Sequence, residues 1–226
     1  MMILDLHTHT TKAGPHSSLD PVAAIVEAKR IGLDGFCVTE HEWTWEKRDA
    51  ISLSNQHGFP VFRGIEVNTD LGHIAVFGLE RYIAGIYKLA TLRQVADDAG
   101  AFLIALHPFR RVFDAPNLRA GSVPTVEEAA LLPLFQYVDD IEVLNGANSD
   151  VENEFALKVG RLLGMRGTGG SDAHSTHGLG CCTTLFERDI ASEEDLLDEL
   201  RAGRFRPAAG LLTGELVLYG VAGAGY

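Results

Sequence analysis

Short apolar runs of strand length alternate with amphipathic stretches of helical length throughout this chain, and several of the runs end on a histidine or a carboxylate. Alternation of that kind specifies repeated strand and helix units, an α/β class, rather than blocks of one element type. The spacing predicts strands over 3–6, 35–39, 61–66, 73–77, 102–106, 140–144, 166–169 and 183–186. The clearest helix signal starts at Asp20, an N-cap residue followed by Pro21 at the first turn. Val22, Ile25 and Val26 then share one face, with Ala28 at its edge, until Gly32 ends the segment. Further helices are expected over 46–54, 89–99, 126–132, 151–163 and 193–202, the last introduced by a capping arrangement of Ser192 with Asp195.

Residues 114–124 hold two prolines, Asn117 and Gly121 and read as an excursion able to cover a site. Length favours one domain spanning 1–226, in which the tail from 207 adds an edge strand at Leu216, Val217, Leu218 and Tyr219, with a loose stretch from Gly220 on.

The chain carries a formal charge of −12, which opposes binding to a long nucleic acid and leaves small anionic substrates as the expected partners. No apolar run approaches a membrane span, and Met1 to His7 shows neither a basic leader nor a cleavage site, so a soluble, cytoplasmic protein is expected. Cys37, Cys181 and Cys182 have no zinc-ribbon spacing and make no even framework, which points to reduced thiols. Oligomeric state is not legible.

Placement, rather than number, makes the nine histidines informative. His7 and His9 follow the first strand at a two-residue period, which turns both rings to one side, as two ligands of one ion require. The pattern recurs at other strand ends: His41 after Thr39 and Glu40, Glu66 after Ile65, His73 before Ile74, His107 after Leu106, and Asp172 with His174. Taken singly, each is more often a polar strand end satisfied by local hydrogen bonds. As a set, at the carboxyl ends of strands that converge on one mouth, they specify a metal cluster.

The same motifs, in order, resemble the polymerase and histidinol phosphatase (PHP) family over roughly residues 2–206: the opening His-x-His, Thr39-Glu40-His41, Gly64-Ile65-Glu66, Leu106-His107-Pro108 and Gly170-Ser171-Asp172-Ala173-His174. The resemblance implies a distorted (β/α)7 barrel, TIM-barrel-like, with the metal site at the C-terminal ends of the strands. It implies that His7, His9, Glu66 and Asp172 hold one ion. Glu66 would bridge to a second ion on His73 and His107, and His16, His41 and His174 would take a third. His16 stands in a loop with no strand to aim it, and Glu40 departs from the aspartate commoner in the family beside that histidine.

Such a donor set, rich in imidazole, favours zinc, iron or manganese over magnesium or calcium. Seven neutral imidazoles and two carboxylates carry about −2, and three divalent ions about +6, so the site nets about +4 and demands an anion. Two or three ions that turn water into a nucleophile make the expected activity hydrolysis of phosphate esters, as phosphatase or phosphodiesterase on a small phosphorylated molecule or a nucleotide end. Glu66, Asp172 and His174 are the catalytic candidates. Arg110 and Arg111, close after His107, are candidates to grip phosphate, with a solvated surface pair as the alternative. Lys12 is a lesser candidate of the same kind, and His177 a candidate proton donor against a plain loop histidine.

Glu142 is expected to face the same mouth, through a structural ion pair or a substrate contact. His57 is expected at the surface, and Trp43 and Trp45 in the wall rather than stacked on substrate. Two other functions compete. An amidohydrolase-type C–N hydrolase shares His-x-His in a barrel but usually takes a lysine ligand, and no lysine lies between Lys88 and Lys158. A catalytically silent, metal-stabilised binding module would have lost ligands, whereas all nine positions carry them.

Overall fold

The structure is a computed structural model that describes residues 1–220; the stretch expected to be loose lies, beyond Gly220, outside the described residues. In chain order the elements are β1 (Met2–Thr8), α1 (Pro21–Ile31), β2 (Gly35–Val38), α2 (Lys47–His57), β3 (Val61–Arg63), β4 (Ile65–Thr69), β5 (Gly72–Phe77), α3 (Leu89–Ala99) and β6 (Phe102–Ala105). They continue with α4 (Ala115–Ala120), α5 (Val126–Ala130), β7 (Asp140–Asn145), α6 (Asp150–Leu163), β8 (Thr168–Gly170), β9 (Cys182–Phe186), α7 (Glu193–Arg201), β10 (Phe205–Ala209) and β11 (Val217–Leu218). The α1 signals act as read: the Asp20 carboxylate accepts from the N–H groups of Val22 and Ala23, and Gly32 closes the helix in the left-handed region at φ 84°.

The strands form two sheets, in the orders β11-β10-β9-β1-β2-β3 and β4-β5-β6-β7-β8. This differs from the single closed ring expected from the resemblance. Pairing is parallel along β1-β2-β3 and β6-β7-β8 and antiparallel elsewhere. The sheets touch through isolated bridges at Thr8 with Ala173 and His41 with Glu66, both beside expected metal ligands.

The run read as one strand over 61–66 breaks at Gly64, and its halves join different sheets. A side chain at Gly64 would meet Phe77 at 2.8 Å and Thr39 at 2.9 Å, so the crossing needs glycine. Strand β10 was not expected, because Pro207 sits in its middle and proline demotes a strand reading. Helix α4 lies inside the predicted excursion, with Pro116 in its first turn, where a missing N–H costs nothing. The expected edge strand is β11, paired with β10 through Ala208 and Ala209.

Strand β1 sorts its side chains by the period of two. Leu4 and Leu6 pack with Phe77, Ile104, Phe186 and Phe205, while Asp5 and His7 turn toward the segment that follows β8. A second apolar cluster joins Ile74, Val76, Leu89, Ile141, Phe155 and Val159 beneath α3 and α6. A third packs Ile25, Phe36 and Trp45 against α1 and α2. No helix among the described residues is long and apolar enough to cross a membrane.

Candidate metal centre

Four lone-pair atoms from three separate segments meet at the carboxyl end of β1. His7 Nε2 lies 3.1 Å from His9 Nε2, 3.1 Å from Glu66 Oε2 and 3.5 Å from Asp172 Oδ1. His9 Nε2 lies 3.0 Å from Glu66 Oε2 and 3.3 Å from Asp172 Oδ1. Zinc-type bonds of about 2.0–2.2 Å generate tetrahedral edges of about 3.3–3.6 Å, so this cage is within a few tenths of an ångström of the size that one ion requires.

Tautomers fit as well. His7 Nδ1 is 3.0 Å from Glu142 Oε1, a pairing that fixes the proton there and leaves Nε2 as a lone pair facing the cage. His174 Nδ1 likewise sits 2.9 Å from the carbonyl of Asp172. His9 Nδ1 is buried with no hydrogen-bond partner, so the chain alone does not satisfy this ring.

Glu66 faces two ways. While Oε2 lines the first cage, Oε1 is 2.5 Å from His73 Nδ1 and 3.4 Å from His107 Nε2. Its two oxygens thus face the two donor groups between which a bridging role is expected. His16, His41 and His174 surround His9 rather than one another: the close donor trios are His9 with His16 and His41, and His9 with Asp172 and His174. His41 and His174 stack on His9 at 4.4 and 4.5 Å between ring centroids. The loop histidine His16 thus joins the cluster without a strand to aim it.

Two of the donors sit on unusual backbone: His107 at φ 29° and Asp172 at φ 55°. Left-handed backbone at non-glycine residues costs on the order of 1–3 kcal/mol each and persists where the surroundings impose it. Here Glu142 Oε2 accepts the His107 N–H at 2.9 Å, and the carbonyl of His7 accepts the Asp172 N–H at 2.8 Å.

Burial penalises the charged forms of His7, His9, Glu66 and Asp172, yet the pairs among them outweigh it. The Glu66 carboxyl is held well below its ordinary range by His7, His107 and His73, and Asp172 is also depressed, by His7, His9 and Arg110. His7 is raised well above an ordinary imidazole by Glu142, Asp172 and Glu66. These directions favour protons on His7 and His9 beside the two carboxylates, and a divalent ion would take their place. His41 goes the other way, to about 4, because burial and its histidine neighbours disfavour its charge.

The substrate candidates separate. Arg110 reaches the cluster: Nη2 donates to Asp172 Oδ2 at 2.6 Å and to Asn145 at 2.8 Å, and Nε donates to Asn148 at 3.0 Å. Arg111 instead pairs with Asp114 in solvent, its side chain 81% exposed, which is the surface-pair alternative. Lys12 lies 3.9 Å over the Trp45 ring and 3.5 Å from Asp49. His177 is exposed and outside the close donor groups. Trp45 is buried in the wall, and Glu40 accepts from its Nε1 and from Thr10 rather than from a ring of the cluster. Trp43 is partly exposed, and His57 is half-buried at the end of α2 rather than fully at the surface.

Glu142 faces the mouth as the sequence predicts, whereas the roles of Asp5 and Gly170 escaped the sequence reading. The Glu142 pair with His7 is the structural ion-pair alternative, and the carboxylate holds further donors as well: fully buried, Glu142 accepts from His7, the His107 N–H and Asn145. Asp5, also fully buried, accepts from the backbone N–H groups of His7, Ser171 and Gly180. Its signal was present, since Asp5-x-His7-x-His9 places all three on one side of the strand. Gly170 lets β8 approach β1, for a side chain there would lie 2.5 Å from His7 Cβ and 2.7 Å from Glu142 Oε1.

Comparison with known proteins bears on the fold. Residues 151–205 match the family model PHP_C, described as PHP-associated. No curated protein matches the chain. PsfC from Pseudomonas syringae PB-5123 superposes with a TM-score of 0.62 at 21% identity, over 94% of this chain and 93% of that one. A two-domain protein containing a predicted PHP-like metal-dependent phosphoesterase, from Bacteroides vulgatus ATCC 8482, gives 0.63 at 18% identity, over 92% of this chain and 64% of that one. An amidohydrolase from Chromobacterium violaceum, with bound sulfate and no metal, gives 0.60 at 16% identity, over 89% and 96%. At these identities the structures establish a shared fold. The matched segment and the shared fold make the chain similar to PHP-type proteins.

Proposed function

We propose that this protein is a hydrolase of phosphate esters that works with two or three divalent transition-metal ions, zinc, manganese or iron, held at strand ends of a distorted barrel that is drawn out into two sheets. The observation that carries the reading is the division of labour in Glu66: one oxygen closes the cage of His7, His9 and Asp172, and the other faces His73 and His107. Ions bound in such adjacent sites lower the pKa of water toward neutrality and polarise phosphoryl oxygens.

The chain's own residues supply the rest. Glu142 holds the His7 tautomer, and Asp5 ties β1 to the loop that carries Asp172 and His174. Arg110, anchored on Asp172 and two asparagines, places a guanidinium beside the cluster where a non-reacting phosphate oxygen can be gripped. The net charge of −12 supports a small phosphorylated substrate or nucleotide rather than a long nucleic acid. The free thiols Cys37, Cys181 and Cys182 support a cytoplasmic site of action.

A second reading, hydrolysis of a C–N bond, is favoured by the likeness to the amidohydrolase. Metal-loaded protein offered an aryl phosphate monoester, the matching diester and a cyclic amide separates the two. Metal-dependent turnover of either ester is expected; turnover of the amide alone would transfer the assignment, and inertness toward both esters would end it.

A further inference from the structure

Glu142 and Val143 are neighbours on β7, so their side chains leave opposite faces of the strand. Behind Val143, away from the metal centre, lies a surface cavity of about 220 Å³ between α6 and β10. Three arginines line it: Arg161 from the last turn of α6, Arg166 from the turn before β8, and Arg206 from β10. Leu157, Met165 and Pro207 add apolar wall.

None of these arginines holds a carboxylate within ion-pair distance among the described residues, whereas Arg30, Arg63, Arg93 and Arg204 each do. Arg161 donates to the carbonyl of Gly220. The acid nearest in effect to Arg166 is Asp140, which is buried and already accepts from the N–H groups of Ile141 and Gly167. Converging like charges repel, and in a chain of net charge −12 acidic partners were abundant. Guanidinium groups without a carboxylate partner around an indentation are the chemistry that receives phosphate.

We propose that this cavity binds a small phosphate ester, its phosphate on Arg161, Arg166 and Arg206 and its organic part against Leu157, Met165 and Pro207. The volume is below the ~300–1,000 Å³ typical of sites for drug-sized molecules, so the organic part is a few carbons rather than a nucleoside. The site is independent of the metal centre and of the activity proposed for it.

Calorimetric titration of the full chain in chelator, with inorganic phosphate and with glycerol 3-phosphate, tests this. An Arg110→Gln background removes the guanidinium beside Asp172. Saturable binding of one glycerol 3-phosphate per chain is expected in that background. The further pair Arg166→Gln and Arg206→Gln should weaken it at least tenfold, with the thermal midpoint held, because both side chains are exposed. The proposal is overturned if Arg110→Gln alone abolishes binding, if no saturable binding occurs, or if the added pair leaves the affinity unchanged.

Discussion

Glu142→Gln is the sharpest probe of how this centre is organised. Both carboxylate oxygens accept: Oε1 from His7 Nδ1 at 3.0 Å, Oε2 from the His107 N–H and from Asn145 Nδ2, each at 2.9 Å. An amide has one acceptor oxygen. If that oxygen serves His107 and Asn145, the new NH2 group faces the His7 Nδ1 proton. That proton must then move to Nε2, where it points into the cage. If the amide turns over, two donors lose their acceptor instead. Either arrangement forfeits at least one charge-assisted bond, about 1.5–3 kcal/mol, which is about ten- to a hundredfold in metal affinity and matches the usual cost of disturbing a ligand's supporting carboxylate. Competition between the protein and a chromogenic chelator for Zn²⁺ measures this directly. Glu154→Gln, which removes an exposed pair with Lys158 on α6, serves as the control and should leave the affinity unchanged. If Glu142→Gln binds zinc with the wild-type constant, the tautomer argument fails.

Glu66→Gln should lower the metal count of freshly purified protein, by elemental analysis, more than His57→Gln does, because it disturbs both donor groups at once. Gly170→Ala drives a methyl against His7 and Glu142 and should destabilise by about 1–3 kcal/mol in urea titration. Gly178→Ala, with open space around it and no left-handed backbone, should be close to neutral. Burial raises Asp140 from 3.8 to about 6. A raised acid favours the folded state when protonated, so its contribution is complete below pH 3.8 and is lost as pH rises through about 6. Asp140→Asn keeps an oxygen for Ile141 and Gly167. In metal-free protein it should therefore gain on wild type across that window, by up to about 3 kcal/mol in denaturation midpoints followed against pH.

The metal donors were legible because each stands at the end of an apolar run, where strand period and position fix direction; His7, His9 and Glu66 are of this kind. His16 was harder, since a loop residue carries no period, and it was reached through the family pattern. Glu142 was legible in position but not in role, for an Ile-Glu-Val run does not say which sequence-distant donors the carboxylate will meet. Arg110 and Arg111 are equivalent in sequence, and only the backbone sends one to Asp172 and the other to solvent, with Arg111 in the left-handed region at φ 65°. The barrel was expected as one ring because strand count says nothing about where hydrogen bonding stops, and Gly64, which separates β3 from β4, lies inside a run that otherwise reads as continuous.

Asp5 joins β1 to Ser171 and Gly180 across sequence separations of 166 and 175 residues. Pairing with β2 aligns the strand that leads to His7 and His9, but the Asp172 segment reaches them only when residues more than 160 positions away are in place. Closing so long a loop is slow compared with forming a local helix. The donor set of His7, His9, Glu66 and Asp172 is therefore completed by the slowest kind of contact in the fold, and a chain ended before Asp172 lacks one of the four.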